Sequence, residues 1–225
     1  LGAAAPVIRH QLTDILGKFR ENFPNAALRL LSQPTVRTQS QVRRNDIDIG
    51  IIPLQPNLPS DLVFHPWRTF RAFVLVPKNH PLAMRRAPTI EDILSKDTLT
   101  QFPQVVTTLE DGESDRVREG LKRLGLPFNV ALEVGDLDNV KHYAANGHGL
   151  AAVNGVCLAS EDAKMFHLIE IPDELGGTVT YGVLLHKEKY QSQALRRLLE
   201  LLGVSSDKQH SKAGETRFTG RGYRT

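Results

Sequence analysis

Two stretches decide the fold of this 225-residue chain: Asp46-Ile-Asp-Ile-Gly-Ile-Ile-Pro53 and Val74-Leu-Val-Pro-Lys-Asn-His-Pro-Leu82. The first is nearly continuously apolar from Ile47 to Ile52. Such a run suits a parallel strand covered on both faces. It stops at a proline, which has no N–H to give to a ladder. The second reads as a strand that leaves its sheet and turns between Pro77 and Pro81. Together they predict the wall and the hinge of a two-lobed clamp.

Upstream of this wall, Ile8, Leu12, Ile15, Leu16, Phe19 and Phe23 follow the 3.6-residue period and predict a first helix. Pro6 stands where a first-turn proline is tolerated. Residues 1–5 are then the end of a strand and the loop into that helix. Residues 27–31 read as a strand, and 35–44 as a polar helix presenting Val36 and Val42. Strand, helix, strand, helix, strand is the grammar of an open α/β sheet.

Downstream, the pattern predicts strands at 62–68, 70–77, 99–102, 130–134, 150–154, 166–171 and 178–186. Helices are expected at 89–94, 114–124, 136–146 and 191–202. The helix at 89–94 opens on Thr89-x-x-Asp92, a capping-box spacing. The fold class expected is α/β, with two Rossmann-like lobes joined by a two-strand hinge. Residues 1–76 and 183–204 form lobe I, and 77–182 form lobe II.

Composition narrows the function. Hydrophobic residues are 40% and charged residues 24%, ordinary for a globular domain. Residues 205–225 carry five Lys or Arg against Asp207 and Glu215, which accounts for the whole net charge of +3. The body is neutral, so it has no general drive towards nucleic acid. The tail, poor in apolar residues, is expected to be disordered. One cysteine, Cys157, excludes an intrachain disulfide and suits a cytoplasmic protein. No apolar run is long enough to span a bilayer, and no membrane partner is expected. The chain starts at Leu1 without a methionine and reads as a fragment.

Six stretches, in this order and spacing, resemble the effector-binding domain of LysR-type transcriptional regulators. They are Phe19-Arg-Glu-Asn-Phe-Pro24, Val42-Arg-Arg-Asn-Asp-Ile-Asp-Ile-Gly-Ile51 and Val74-Leu-Val-Pro-Lys-Asn-His-Pro-Leu-Ala83. The others are Leu124-Gly-Leu-Pro127, Val134-Gly-Asp-Leu-Asp-Asn-Val140 and Asn146-Gly-His-Gly-Leu-Ala-Ala-Val153. The resemblance covers residues 1–204. It implies a type II periplasmic-binding-protein fold and a small-molecule effector held between the lobes. It also implies a homodimer or homotetramer, and contact with promoter DNA only through a helix-turn-helix domain missing upstream. The run through Tyr143 and the Tyr181 return look most like the sulfur- and cysteine-pathway branch.

Ligands of open α/β sheets bind beyond the carboxyl ends of strands, where helix N-termini offer free N–H groups. By position and by the resemblance, the candidate ligand-binding residues are Ala5, Pro6, Thr35, Thr100, Gln101, Asp136 and Asn139. Thr100 and Gln101 enter as the end of a strand. Where many family members carry Ser or Thr at the first helix, this chain has Ala3-Ala-Ala-Pro6. That loss of hydroxyls, with Asp136 and Asp138 near another helix start, points to a neutral, zwitterionic or partly cationic ligand. The plainer reading is that both aspartates cap their helix.

No catalytic constellation and no cofactor or metal site is expected. Cys157 reads as packing. Asp138 and His142, four apart, read as surface electrostatics, since a metal would want more ligands in fixed spacing. Trp67, Phe70 and Phe73 read as core. The alternative of another class is a free-standing solute-binding protein of the same fold. An enzyme on the same clamp is a third possibility that no residue set supports.

Overall fold

Strand β1 (Gly2–Ala3) lies between two parallel neighbours, β2 (Leu31–Ser32) and β3 (Gly50–Pro53). In this computed structural model residues 1–84, 86–108, 113–204, 214–219 and 222–224 are described. The chain divides into two compact units. The first joins Leu1–Thr69 with Thr180–Glu215, and the second joins Phe70–Val179 with Thr216–Arg224.

In the first unit the sheet order is β2-β1-β3-β9, where β9 (Thr178–His186) runs antiparallel to β3. A π-turn (Val7–Gln11) follows β1 and leads into α1 (Thr13–Asn22). The single helix expected from the apolar period is thus split by one wide turn. Helix α2 (Thr35–Arg43) joins β2 to β3, and α8 (Gln193–Leu201) packs against α1. Val42 is fully buried and anchors a core with Ile47, Ile52, Leu62 and Leu184. Val36 is 71% exposed, because the 3.6-residue period brings Thr38 and Val42 to the sheet and turns Val36 away.

Close approach of α2 to the sheet depends on Gly50. A Cβ there would lie 2.6 Å from Thr38 Cγ2 and 3.2 Å from Val42 Cγ2. Gly50→Ala is therefore expected to cost about 1–3 kcal/mol. Thr38→Ser in the same chain removes the nearer clash and should recover part of that loss in a urea-denaturation cycle. Strictly additive costs would show that Thr38 does not set the spacing.

The second unit has the order β4-β7-β5-β6. Strand β4 (Leu62–Pro77) pairs antiparallel with β7 (Leu150–Asn154) on one side and β8 (Phe166–Glu170) on the other. β5 (Gln104–Thr107) is parallel to both β6 (Val130–Val134) and β7. The helices are α3 (Ile90–Ile93), α4 (Lys96–Gln101), α5 (Glu113–Arg123), α6 (Leu137–Ala145) and α7 (Asp162–Met165). Val76, Ile93, Leu99, Leu121 and Leu150 form its core. Thr89 and Asp92 complete the expected capping box on α3.

Strands β4 and β9 each carry the chain from one unit to the other. β4 passes at Thr69–Phe70 and β9 at Val179–Thr180. The two are neighbours, and Thr69 and Thr180 share a hydroxyl hydrogen bond of 2.9 Å. The sequence pattern places the passages after residues 76 and 182, with the hinge at Pro77. In the structure β4 is one unbroken sixteen-residue strand, and the turn at Pro77–Pro81 lies inside the second unit. There His80 Nδ1 accepts from the Leu82 N–H at 3.2 Å, and burial lowers the pKa of His80, which keeps that nitrogen free to accept.

The tail also departs from expectation where it is described. Gly214–Thr219 and Gly222–Arg224 form an antiparallel hairpin, β10 and β11, with Phe218 opposite Tyr223. Thr216, Phe218 and Tyr223 are strand formers that a whole-tail composition dilutes. The rest of the expected disordered stretch lies outside the described residues.

Candidate functional site

Each unit reverses strand order at one point, and the loops beyond those points are the candidate site. In the first unit the chain runs from β1 outward to β2, then returns across β1 to β3. Ala4, Ala5 and Pro6 follow β1 there. Pro6 is the N-cap of the π-turn and offers no side-chain hydrogen bond, so the N–H groups of that turn are left without a side-chain cap. Helix α2 likewise starts at Pro34 with no side-chain cap, and Thr35, half-buried, is its first residue. Ala5, Pro6 and Thr35 thus stand at helix starts after adjacent strands, as expected. Gln33, between β2 and α2, is buried and donates Nε2–H to Gln41 Oε1 at 2.7 Å.

In the second unit the reversal lies between β5 and β7. Thr107 ends β5 and Asn154 ends β7, at 1% and 2% exposure. Asn154 Oδ1 accepts from the Val156 N–H at 2.7 Å. Neither residue is among the candidates expected from sequence. The β-branched run Val105-Val-Thr107 carries the strand signal, in competition with the one at 99–102.

Thr100 and Gln101 are not at a strand end. They close α4, where both are exposed, and the Thr100 hydroxyl donates to the Lys96 carbonyl at 2.7 Å. Ser95 decides this: its side chain accepts from the Thr98 N–H and nucleates a helix over residues of high strand propensity.

Asp136 caps α6. Its carboxylate accepts from the Asn139 N–H at 2.8 Å and from Asn139 Nδ2 at 3.0 Å. Asp136 and Asn139 are therefore engaged with each other, as the plainer reading has it. Asp138 is not a second cap: its Oδ1 is 3.4 Å from Lys141 Nζ. Lys141, 9% exposed, also donates to Asp162 Oδ2 at 3.0 Å and to the Cys157 carbonyl. Burial pushes the pKa of Lys141 down, but Cys157, Asp162 and Asp138 outweigh it and the net shift is upward. This network ties α6 to the turn at Cys157 and to the start of α7. Cys157 is fully buried, as its packing role requires, and Trp67, Phe70 and Phe73 are all core.

Among the described residues no three His, Cys, Asp or Glu side chains gather to hold a metal ion. No described helix is long and apolar enough to cross a membrane.

Residues 1–205 match the family described as LysR substrate binding domain. The HTH-type transcriptional regulator cbl of Escherichia coli K12 is 31% identical over 145 residues, 64% of this chain and 44% of that protein. The chain thus spans about half the length of that relative. Among solved structures, the cofactor-binding domain of the Cbl transcriptional regulator aligns with a TM-score of 0.73 at 24% identity, over 89% of this chain and 85% of the other. The effector-binding domain of QuiR in complex with shikimate aligns with a TM-score of 0.73 at 14% identity, over 89% and 92%. With two strand-linked α/β units and a family match that runs through both, this chain belongs to the LysR substrate binding domain family, and its fold is of the type II periplasmic-binding-protein kind.

Proposed function

We propose that this domain binds a small-molecule effector at its strand-end loops, and that binding controls how a longer transcriptional regulator engages promoter DNA. The observation that carries the reading is the pair of uncapped helix starts at Pro6 and Pro34, next to one another at a strand-order reversal, within a family match over residues 1–205. Ala5, Pro6 and Thr35 are the leading contacts. In the second unit Thr107 and Asn154 take the strand-end role first given to Thr100 and Gln101, and Asp136 with Asn139 shapes the adjoining loop. The QuiR domain's complex with shikimate and the regulator names of the relatives favour an effector sensor over a free solute carrier.

The domain acts as a switch and not as a catalyst. A ligand shifts a conformational equilibrium only by its difference in affinity for the two states. The two strands β4 and β9, which carry the chain between units, are the elements such a shift would bend. The output is read through a homodimer or homotetramer, in the cytoplasm. DNA is touched by a separate helix-turn-helix domain.

A thermal-shift screen of the chain against amino acids, sulfur metabolites, nucleotides and organic acids tests the reading. A ligand at a hundredfold its dissociation constant is expected to stabilise the fold by about 2.7 kcal/mol. A screen in which nothing raises the melting midpoint would count against an effector domain.

A further inference from the structure

Arg68 is a half-buried cation whose hydrogen-bond partner is neutral. It lies on β4, and its Nη1–H donates to Gln11 Oε1 at 3.1 Å. Its guanidinium sits 4.7 Å from the centroid of the Trp67 ring. No carboxylate lies within ion-pair distance of Arg68 among the described residues. More exposed arginines are better served: Arg43 and Arg86, 57% and 61% exposed, meet Asp61 and Asp92 at 2.6 and 2.8 Å. A desolvated charge without a counter-ion is costly. Burial lowers the pKa of Arg68, and no acid acts in the other direction. A chain that keeps such a group where a glutamine and a tryptophan hold it in place has spent stability on something other than folding.

Position says what for. Gln11 is 8% exposed and closes the π-turn that opens at Pro6, one of the loops proposed to meet the effector. It is about one helical turn beyond Val7, or roughly 5 Å along the axis. Gln11 engages Nη1 of the guanidinium and the Trp67 ring lies against it. The two aspartates that argued for a cationic ligand are both accounted for, Asp136 as a cap and Asp138 by Lys141.

We propose that Arg68 is the anion-recognition residue of the effector site, so that the effector carries a carboxylate or a tetrahedral oxoanion. This rests on the effector reading above. Gln11 is its positioning residue. A guanidinium fork matches either anion with two parallel N–H···O bonds.

The chain carries its own reporter, because Trp67 is its one tryptophan. Wild type, Arg68→Met and Arg68→Lys are titrated with sodium sulfate and with sodium benzoate while Trp67 emission is followed. Benzamide serves as the neutral counterpart of benzoate, and sodium chloride at equal ionic strength reports the general salt effect. Wild type is expected to show a saturable change with sulfate or benzoate, and which of them does so tells oxoanion from carboxylate. Benzamide should give none. Arg68→Met, which keeps the packing stem, should bind about ten- to hundredfold more weakly while melting no earlier than wild type. If Arg68→Met melts early, Arg68→Lys decides: without the planar fork it should still lose severalfold. Unchanged anion affinity in the folded variant overturns the proposal, and so does the absence of any saturable anion response in wild type. A neutral compound that stabilises wild type and Arg68→Met alike would overturn anion recognition and leave the effector reading standing.

Discussion

Asp162→Ala is expected to destabilise the domain by about 3–5 kcal/mol, measured by urea denaturation. Asp162 is 4% exposed, and its Oδ2 accepts from Lys141 Nζ at 3.0 Å and from the Ala159 N–H at 2.7 Å. Removing it strands a buried ammonium and orphans a backbone donor. Asp138 stays 3.4 Å from Lys141, which places the effect towards the lower end of that range. The double variant Lys141→Met, Asp162→Leu should recover part of the loss, because the stranded ammonium is gone while Asp138 loses Lys141 and the Ala159 N–H still lacks its acceptor. The pKa of Lys141 is raised in the folded state. Its contribution is therefore complete below the unfolded lysine value and fades as pH rises through the higher folded value, so the wild type should lose this stability only in strong alkali. A loss under about 1 kcal/mol for Asp162→Ala would mean that the ammonium finds water or another partner.

Phe70→Ala is expected to cost about 3–5 kcal/mol, and Phe70→Leu about 1 kcal/mol. Phe70 is fully buried and, with Phe166, is the largest fully buried side chain among the described residues. It is also the first residue past the point where β4 enters the second unit. Truncation there leaves a cavity in a strand that cannot shift, since β4 is laddered to β7 from Ala72 and to β8 from Phe73. Equilibrium denaturation followed by circular dichroism checks both values. A near-neutral Phe70→Ala would show that the surroundings collapse into the space.

The alternation of elements was legible because its punctuation is local. Pro6 marks a helix start, Thr89 and Asp92 form their capping box, and Asp136 caps α6 from a spacing visible in the chain. Errors arose where a distant partner decides. Leu99-Thr-Gln-Phe102 reads as strand by propensity, but the Ser95 cap makes most of it helix and puts Thr100 and Gln101 away from the carboxyl end of any strand. The strands expected at 62–68 and 70–77 are one strand, because the polar Thr69 is satisfied by Thr180, 111 residues away. Of the candidate loops, those of the first unit were readable from proline and strand signals. Thr107 is hidden by the competing strand signal at 99–102, and the role of Asn154 depends on which strands lie side by side. Arg68 was invisible as well: within His65-Pro-Trp-Arg-Thr it looks like a solvent-facing position, and only Gln11, 57 residues upstream, shows that it is held.

The central claim, that this domain senses a small molecule and does not transform it, is most directly tested by calorimetric titration with a compound that raises the melting midpoint, followed by recovery of that compound. The account predicts a saturable isotherm and a ligand recovered chemically unchanged after prolonged incubation. A ligand consumed in proportion to time and protein concentration would contradict it.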